Sequence, residues 1–227
     1  MKKLFYASFA AMLCMFALPS CTFNLGNPAV DDEEQVDQRI NIVINAELLE
    51  KVKGYMTIYD GVNPPNVEGT FRLDPYVYIY SSDGVFEAGH KILPYVIKFS
   101  NQDMTNNTLD YNGKHIGNDT YQNGEGVFIS GSGNNFTVFF NTVGESNGIA
   151  TKHAVIMSGT ITAEGIKNLR RAFVMLEKGP DPDEMLMDVG TFRIFRDEDE
   201  LCEPMEWPAT ARSLRAAESS ILVESAK

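Results

Sequence analysis

Val127-Phe128-Ile129-Ser130-Gly131-Ser132-Gly133-Asn134-Asn135-Phe136-Thr137-Val138-Phe139-Phe140-Asn141-Thr142-Val143 is the stretch that decides the fold. Its two flanks are rich in β-branched and aromatic residues, which suit a pleated, half-buried surface. Its centre, Gly131-Ser132-Gly133-Asn134, is turn chemistry. The spacing predicts a hairpin of Val127 to Ser130 against Asn135 to Val143. Working towards the C-terminus, Gly144 to Gly148 predicts a turn and His153 to Thr162 a further strand. A short helical turn is expected from Ala163 to Arg170, then strands over Ala172 to Leu176 and Val189 to Phe195.

The N-terminal side repeats the pattern. Asn112-Gly113, between Leu109-Asp110-Tyr111 and Lys114-His115-Ile116, predicts a two-residue hairpin loop. Ile92 to Phe99 is another strand, and Tyr76 to Tyr80 puts three tyrosines on one face and Val77 and Ile79 on the other. Ile40, Ile42 and Ile44 alternate with polar residues or valine and predict a strand, while Asn45 caps a short helix, Ala46 to Lys53, ended by Gly54. Short strands with turns between them favour an all-β chain with one or two short helices. The expectation is an antiparallel barrel of roughly 8–10 strands, with a β-sandwich as the alternative.

Outside this domain the composition changes. Lys2 and Lys3 precede an uncharged run, Leu4 to Leu18, that falls short of the roughly 20 residues a membrane helix needs. With Pro19, Ser20 and Cys21 after it, this segment resembles the bacterial lipoprotein signal: Leu at −3, a small residue at −1 and Cys at +1. The resemblance implies a signal peptide over residues 1–20 and acylation, palmitate included, of Cys21 as lipid attachment site. Several acyl chains would hold the chain firmly, since each buried methylene contributes about 0.8 kcal/mol. Thr22 in place of Asp lacks the inner-membrane retention signal. An outer-membrane anchor is therefore expected, on the periplasmic face or at the cell surface. Residues 21–37, with Asp31-Asp32-Glu33-Glu34, read as an acidic disordered linker. Residues 38–206 form one β domain, and residues 207–227 a tail whose segment Ala209 to Val223 is either a docked helix or loose.

A second resemblance lies inside the domain. Tyr59-Asp60-Gly61-Val62-Asn63-Pro64-Pro65-Asn66-Val67-Glu68-Gly69-Thr70-Phe71 fits Tyr-x-Gly-x-Asn-Pro-Pro-x-Val-x-Gly-x-Phe. With Ile129 to Phe136, Ser158-Gly159-Thr160-Ile161 and Val189 to Arg193, it resembles uncharacterised lipoproteins of Bacteroidetes over roughly Asn45 to Asp199. That likeness implies a lipocalin-like β domain and brings no activity, cofactor or catalytic residue with it.

Charge narrows the partners. The chain carries −12 at neutral pH, which repels phosphate backbones and argues against nucleic acid. Of three cysteines, Cys14 lies in the signal and Cys21 at the acylation site, leaving Cys202 as a small apolar filler rather than a disulfide partner. Gly144-Glu145-Ser146-Asn147-Gly148 matches the nucleophile elbow in letters, but that device needs a following helix, and a strand follows here. His90, His115 and His153 lack paired ligand spacing, so no metal is expected from them. Asp181, Asp183 and Glu184, and Asp197 to Glu200, read as solvated turns rather than calcium loops. Tyr76, Tyr78 and Tyr80 read as cross-strand packing, with a ligand cavity or sugar platform as the other reading. The functional expectation is a non-catalytic binding or interaction module for a small ligand, glycan or partner protein, without cofactor. The alternative is a structural accessory subunit of an outer-membrane complex, and less favoured is an envelope hydrolase using Ser146.

Overall fold

The structure is a computed structural model and describes residues 32–117 and 121–208. Two helices precede the strands: α1 (Asp32–Val43) and α2 (Ala46–Lys53). The strands are β1 (Val62–Asn63), β2 (Gly69–Leu73), β3 (Tyr76–Ser81), β4 (Lys91–Ile92), β5 (Tyr95–Asp103), β6 (Thr108–His115), β7 (Tyr121–Asn123), β8 (Glu125–Ser132), β9 (Asn135–Ser146), β10 (Ile149–Thr162), β11 (Gly165–Lys178), β12 (Phe192–Asp197) and β13 (Leu201–Pro204). The described residues are all-β with two short helices. Its strands form one sheet in the order β10-β9-β8-β6-β5-β2-β13-β11, and β10 pairs with β11 to close a hydrogen-bonded ring. Closure leaves those strands no free edges. β12, β3 and β4 extend the sheet from β11, whose second edge is shared: Ile166 and Lys167 face β13, and Arg170 to Val174 face β12. All of these pairings are antiparallel except β1 beside β8.

The opening hairpin forms as its sequence predicts, with Ser132 opposite Asn135. Alternation then sorts its side chains. Phe136, Val138 and Phe140 point into the ring, and Phe139 points out. The interior at this level is full: Ile129, Phe136, Val138, Phe99 and Val67 are essentially unexposed. On the outer face Phe128 and Phe139 stack with centroids 5.0 Å apart, beneath Ile40, Val43, Ile44, Leu49 and Val52 of the helical segment. Asn141 Nδ2 donates to Val43 O at 3.0 Å, satisfying a carbonyl at the end of α1 that the helix itself leaves open.

Several local expectations are corrected. Ile40 to Ile44 is not a strand: Ile40, Val43 and Ile44 are buried at the i, i+3, i+4 spacing of α1's end, and Ile42 is 78 % exposed. Helix α1 also takes up the end of the expected linker, residues 32–37. Helix α2 has the expected bounds, with the Asn45 side chain accepting from Leu48 N. Asn112-Gly113 lies inside β6, opposite Lys98 and Ile97 of β5, not in a turn. Ala163 and Glu164 make a tight turn rather than a helix, because β10 and β11 pair on either side of them. The signal, Cys21 and the segment Ala209 to Val223 lie outside the described residues.

The Pro-Pro segment closes one end of the ring. Tyr59 N donates to Thr137 Oγ1 at 2.7 Å, and Ser130 Oγ donates to Tyr59 O at 2.7 Å. Val62 and Asn63 then run beside Gly131 and Ser132, and Val67 enters the interior core. Gln102 clamps the crossing from the β5 side: its Oε1 accepts from Val67 N, and its Nε2 donates to Pro65 O.

Candidate ligand-binding site

Away from that closed end, the side chains that fill the ring become polar. Tyr95, Tyr111 and Tyr76 lie a level above the phenylalanines, facing Arg171 across the ring. The strand register explains the meeting. Tyr95 stands opposite His115, and Gly113 stands opposite Gln122. Gly113 leaves room that no other residue would: an added Cβ would fall 2.1 Å from the Tyr111 hydroxyl and 2.5 Å from that of Tyr95. Those hydroxyls are 3.1 Å apart. Tyr95 Oη donates to Gln122 Oε1 at 3.1 Å, and Arg171 Nη2 donates to the same oxygen at 2.9 Å. Arg171 Nη1 donates to Tyr76 Oη at 3.2 Å.

Arg171 is only 5 % exposed. Its guanidinium lies over three rings, at 4.8 Å from Tyr95, 5.1 Å from Phe173 and 5.8 Å from Phe195. Its Nε has no partner. Among the described residues it forms no ion pair. Burial holds the phenols of Tyr76 and Tyr111 far above their ordinary range, so both are neutral donors and acceptors, not counter-charges. The next inward cation along the wall, Arg193, differs: its Nη2 meets Asp83 Oδ2 at 2.8 Å.

Above this layer the ring opens into two adjoining lobes. The inner one, about 240 Å³, has Tyr76, Tyr95, Gln122, Arg171 and Phe195 in its walls. The outer one, about 490 Å³, is bounded by Thr142, His153, Met175, Met185 and Met187. Gln122, Phe173 and Arg193 line both. Apolar walls with a few convergent polar groups are the usual makeup of a small-molecule site. A larger, open cleft of about 830 Å³ lies outside the ring between α2 and β12, where Tyr55 stacks on Tyr80 with centroids 3.9 Å apart.

The sequence-predicted residues fall as follows. Tyr76 and Tyr78 do face the interior, but a β-bulge opposite Ile194 and Phe195 turns Tyr80 to the outer face. The single-face tyrosine stripe is thereby corrected to two faces. His115 sits edge-on to Tyr95 at 4.9 Å, His153 stacks on Phe173 at 4.1 Å, and His90 packs on Phe86 at 5.1 Å. His115 and His153 border the inner and outer lobes respectively and His90 borders neither, and among the described residues there is no cluster suited to a metal. Ser146 ends β9, paired with Ile149 across Asn147 and Gly148, whose positive φ values make the primed two-residue loop. The elbow's letters are thus a hairpin, and Ser146 is exposed at the rim of the outer lobe. Asp181 accepts from Met185 N and Leu186 N and meets Lys178, pinning the methionine loop. Asp197, in the turn with Glu198, Asp199 and Glu200, accepts from Asp74 N at 2.8 Å. Cys202 is buried and free, packed in the interior core.

Arg171 and Gln122 were not singled out in the sequence. The signal was present: Arg171, Phe173 and Met175 alternate along β11 with Ala172 and Val174. Expecting a helical turn up to Arg170 hid that phase.

Burial, and then the nearby Arg171 charge, lower the His153 pKa from 6.5 to about 4. Between those values the unfolded chain holds a proton that the folded chain does not, so stability falls as pH drops from about 6.5 to about 4. His153→Phe keeps a ring on Phe173 and should flatten that acid limb of the thermal midpoint against pH. Parallel curves for the two proteins would rule out His153 as the cause.

No protein-family model matches the chain, and the searches of curated proteins and of solved structures return no match.

Proposed function

We propose that the chain is a lipid-anchored, non-catalytic binding module of the outer membrane, facing the periplasm or the cell surface, that takes a small ligand into the open end of its strand ring. The observation that carries this reading is the graded interior: packed phenylalanines at one end, and at the other two adjoining lobes with aromatic walls and convergent polar groups. The Leu18-Pro19-Ser20-Cys21 segment supports the anchor, with Cys21 as lipid attachment site. The Tyr-x-Gly-x-Asn-Pro-Pro likeness supports a place among Bacteroidetes lipoproteins.

Calorimetric titration of the full chain against small apolar molecules and oligosaccharides tests the reading. Gly144 borders the outer lobe, and a side chain added there meets open space. Gly144→Trp should therefore fold and block the lobe. Binding lost in that variant supports the reading, and binding that survives it moves the ligand off this site. For the anchor, labelled palmitate should enter the wild-type chain and not Cys21→Ser.

A further inference from the structure

Arg171 presents an unusual electrostatic situation. Guanidinium stays protonated in proteins. Here it is buried inside the ring, and among the described residues no carboxylate pairs with it. Removing a charge from water is costly unless it is paired and hydrogen-bonded. Three aromatic faces and two hydrogen bonds, to the Tyr76 hydroxyl and the Gln122 amide oxygen, offset part of that cost. They engage only two of its five N–H donors, and Nε is orphaned.

The neighbouring cations are already committed. Arg193 is paired with Asp83. Lys114 stands between the inward residues Gly113 and His115, so alternation turns its side chain to the outer face. There its Nζ donates to Pro208 O at 2.7 Å, over the Trp207 ring. His153, held neutral by burial, adds no charge at neutral pH. Lys114 borders the inner lobe too, but its ammonium is held on the Pro208 carbonyl, so Arg171 is the guanidinium of the lobe that no carboxylate pairs among the described residues. Phe173 leads from it towards Met175, Met185 and Met187, a run of adaptable apolar side chains.

We infer that the ligand is an amphipathic monoanion, with a carboxylate against Arg171 in the inner lobe and an apolar body in the methionine-lined outer lobe. The inference rests on the binding-module reading and names the ligand class for the same site. A carboxylate matches both the charge of Arg171 and its planar fork, whose paired donors suit two oxygens in one plane. The hydroxyls of Tyr76 and Tyr95 stand beside the guanidinium as further polar groups of the same lobe.

The test is calorimetric titration of the full chain with octanoate, octan-1-ol and octyl phosphate. A charge-assisted hydrogen-bonded contact predicts octanoate binding roughly tenfold to a hundredfold tighter than octan-1-ol. Arg171→Met should erase that preference while leaving the weak alcohol binding. Arg171→Lys keeps the charge without the planar fork and should retain only part of the preference. The thermal midpoint of each variant is read alongside. If Arg171→Met does not fold, Arg171→Lys carries the comparison. Equal binding of octanoate and octan-1-ol overturns the anion assignment and leaves the binding module standing. Absence of octanoate binding overturns it too, and octyl phosphate binding as tightly as octanoate overturns the carboxylate. An octanoate preference untouched by both Arg171 variants places the anion elsewhere. An octanoate affinity unchanged in Gly144→Trp counts against the site itself, separately from the ligand's charge.

Discussion

Gly131→Ala is expected to be among the most damaging single substitutions in the domain, costing about 3 kcal/mol or more. Gly131 has φ +151, and an added Cβ would lie 2.2 Å from Asn135 O and 2.9 Å from Phe136 Cα. Both are backbone atoms of the neighbouring strand and cannot swing aside. The same residue donates from its backbone N to Gly61 O at 3.0 Å and pairs with Val62. Displacing it therefore disturbs the hairpin and the Pro-Pro crossing together. For a domain of this size the loss corresponds to a thermal midpoint lower by about 6–12 °C. Gly133→Ala is the control: its φ is +63, with open space around it, so only the left-handed backbone cost of about 1 kcal/mol applies. Equal midpoints for the two variants would show that close approach at Gly131 is not what matters.

Phe139→Ala should cost about 4 kcal/mol, a midpoint lower by about 8–16 °C. Phe139 is fully buried, yet on the outside of the ring, stacked on Phe128 beneath the helical segment. Truncating it leaves a cavity between two layers rather than inside the strand ring. Amide exchange should therefore accelerate most in α1 and α2, with the interior strands least affected. Val143→Ala, on the same strand but 59 % exposed, should change stability by no more than about 0.5 kcal/mol. Protection lost uniformly across the strands would mean that helices and ring unfold as one unit.

These variants mark where the sequence could be read and where it could not. The hairpin from Val127 to Val143 was legible because β-branched and aromatic runs about a Gly-rich centre have few alternatives. The same holds for α2, whose Asn45 cap and Gly54 stop are local devices. The fates of Ile40 to Ile44 and Asn112-Gly113 were not local. Ile40, Val43 and Ile44 fit two periods at once, and the layer formed by Phe128 and Phe139 selected the helical one. Gly113 looked like turn chemistry because only the fold reveals the two tyrosine hydroxyls that fill the space above it.

The sequence by itself determined that the chain is all-β, acidic and short of thiols. Those properties follow from composition, alternation and spacing, which neighbouring residues fix. The tertiary structure decided that the strands close into a ring, that the Pro-Pro segment crosses one end of it, and that Arg171 is buried among Tyr76, Tyr95, Phe173 and Phe195. Those residues lie on four different strands, and only long-range register brings them within reach of one another.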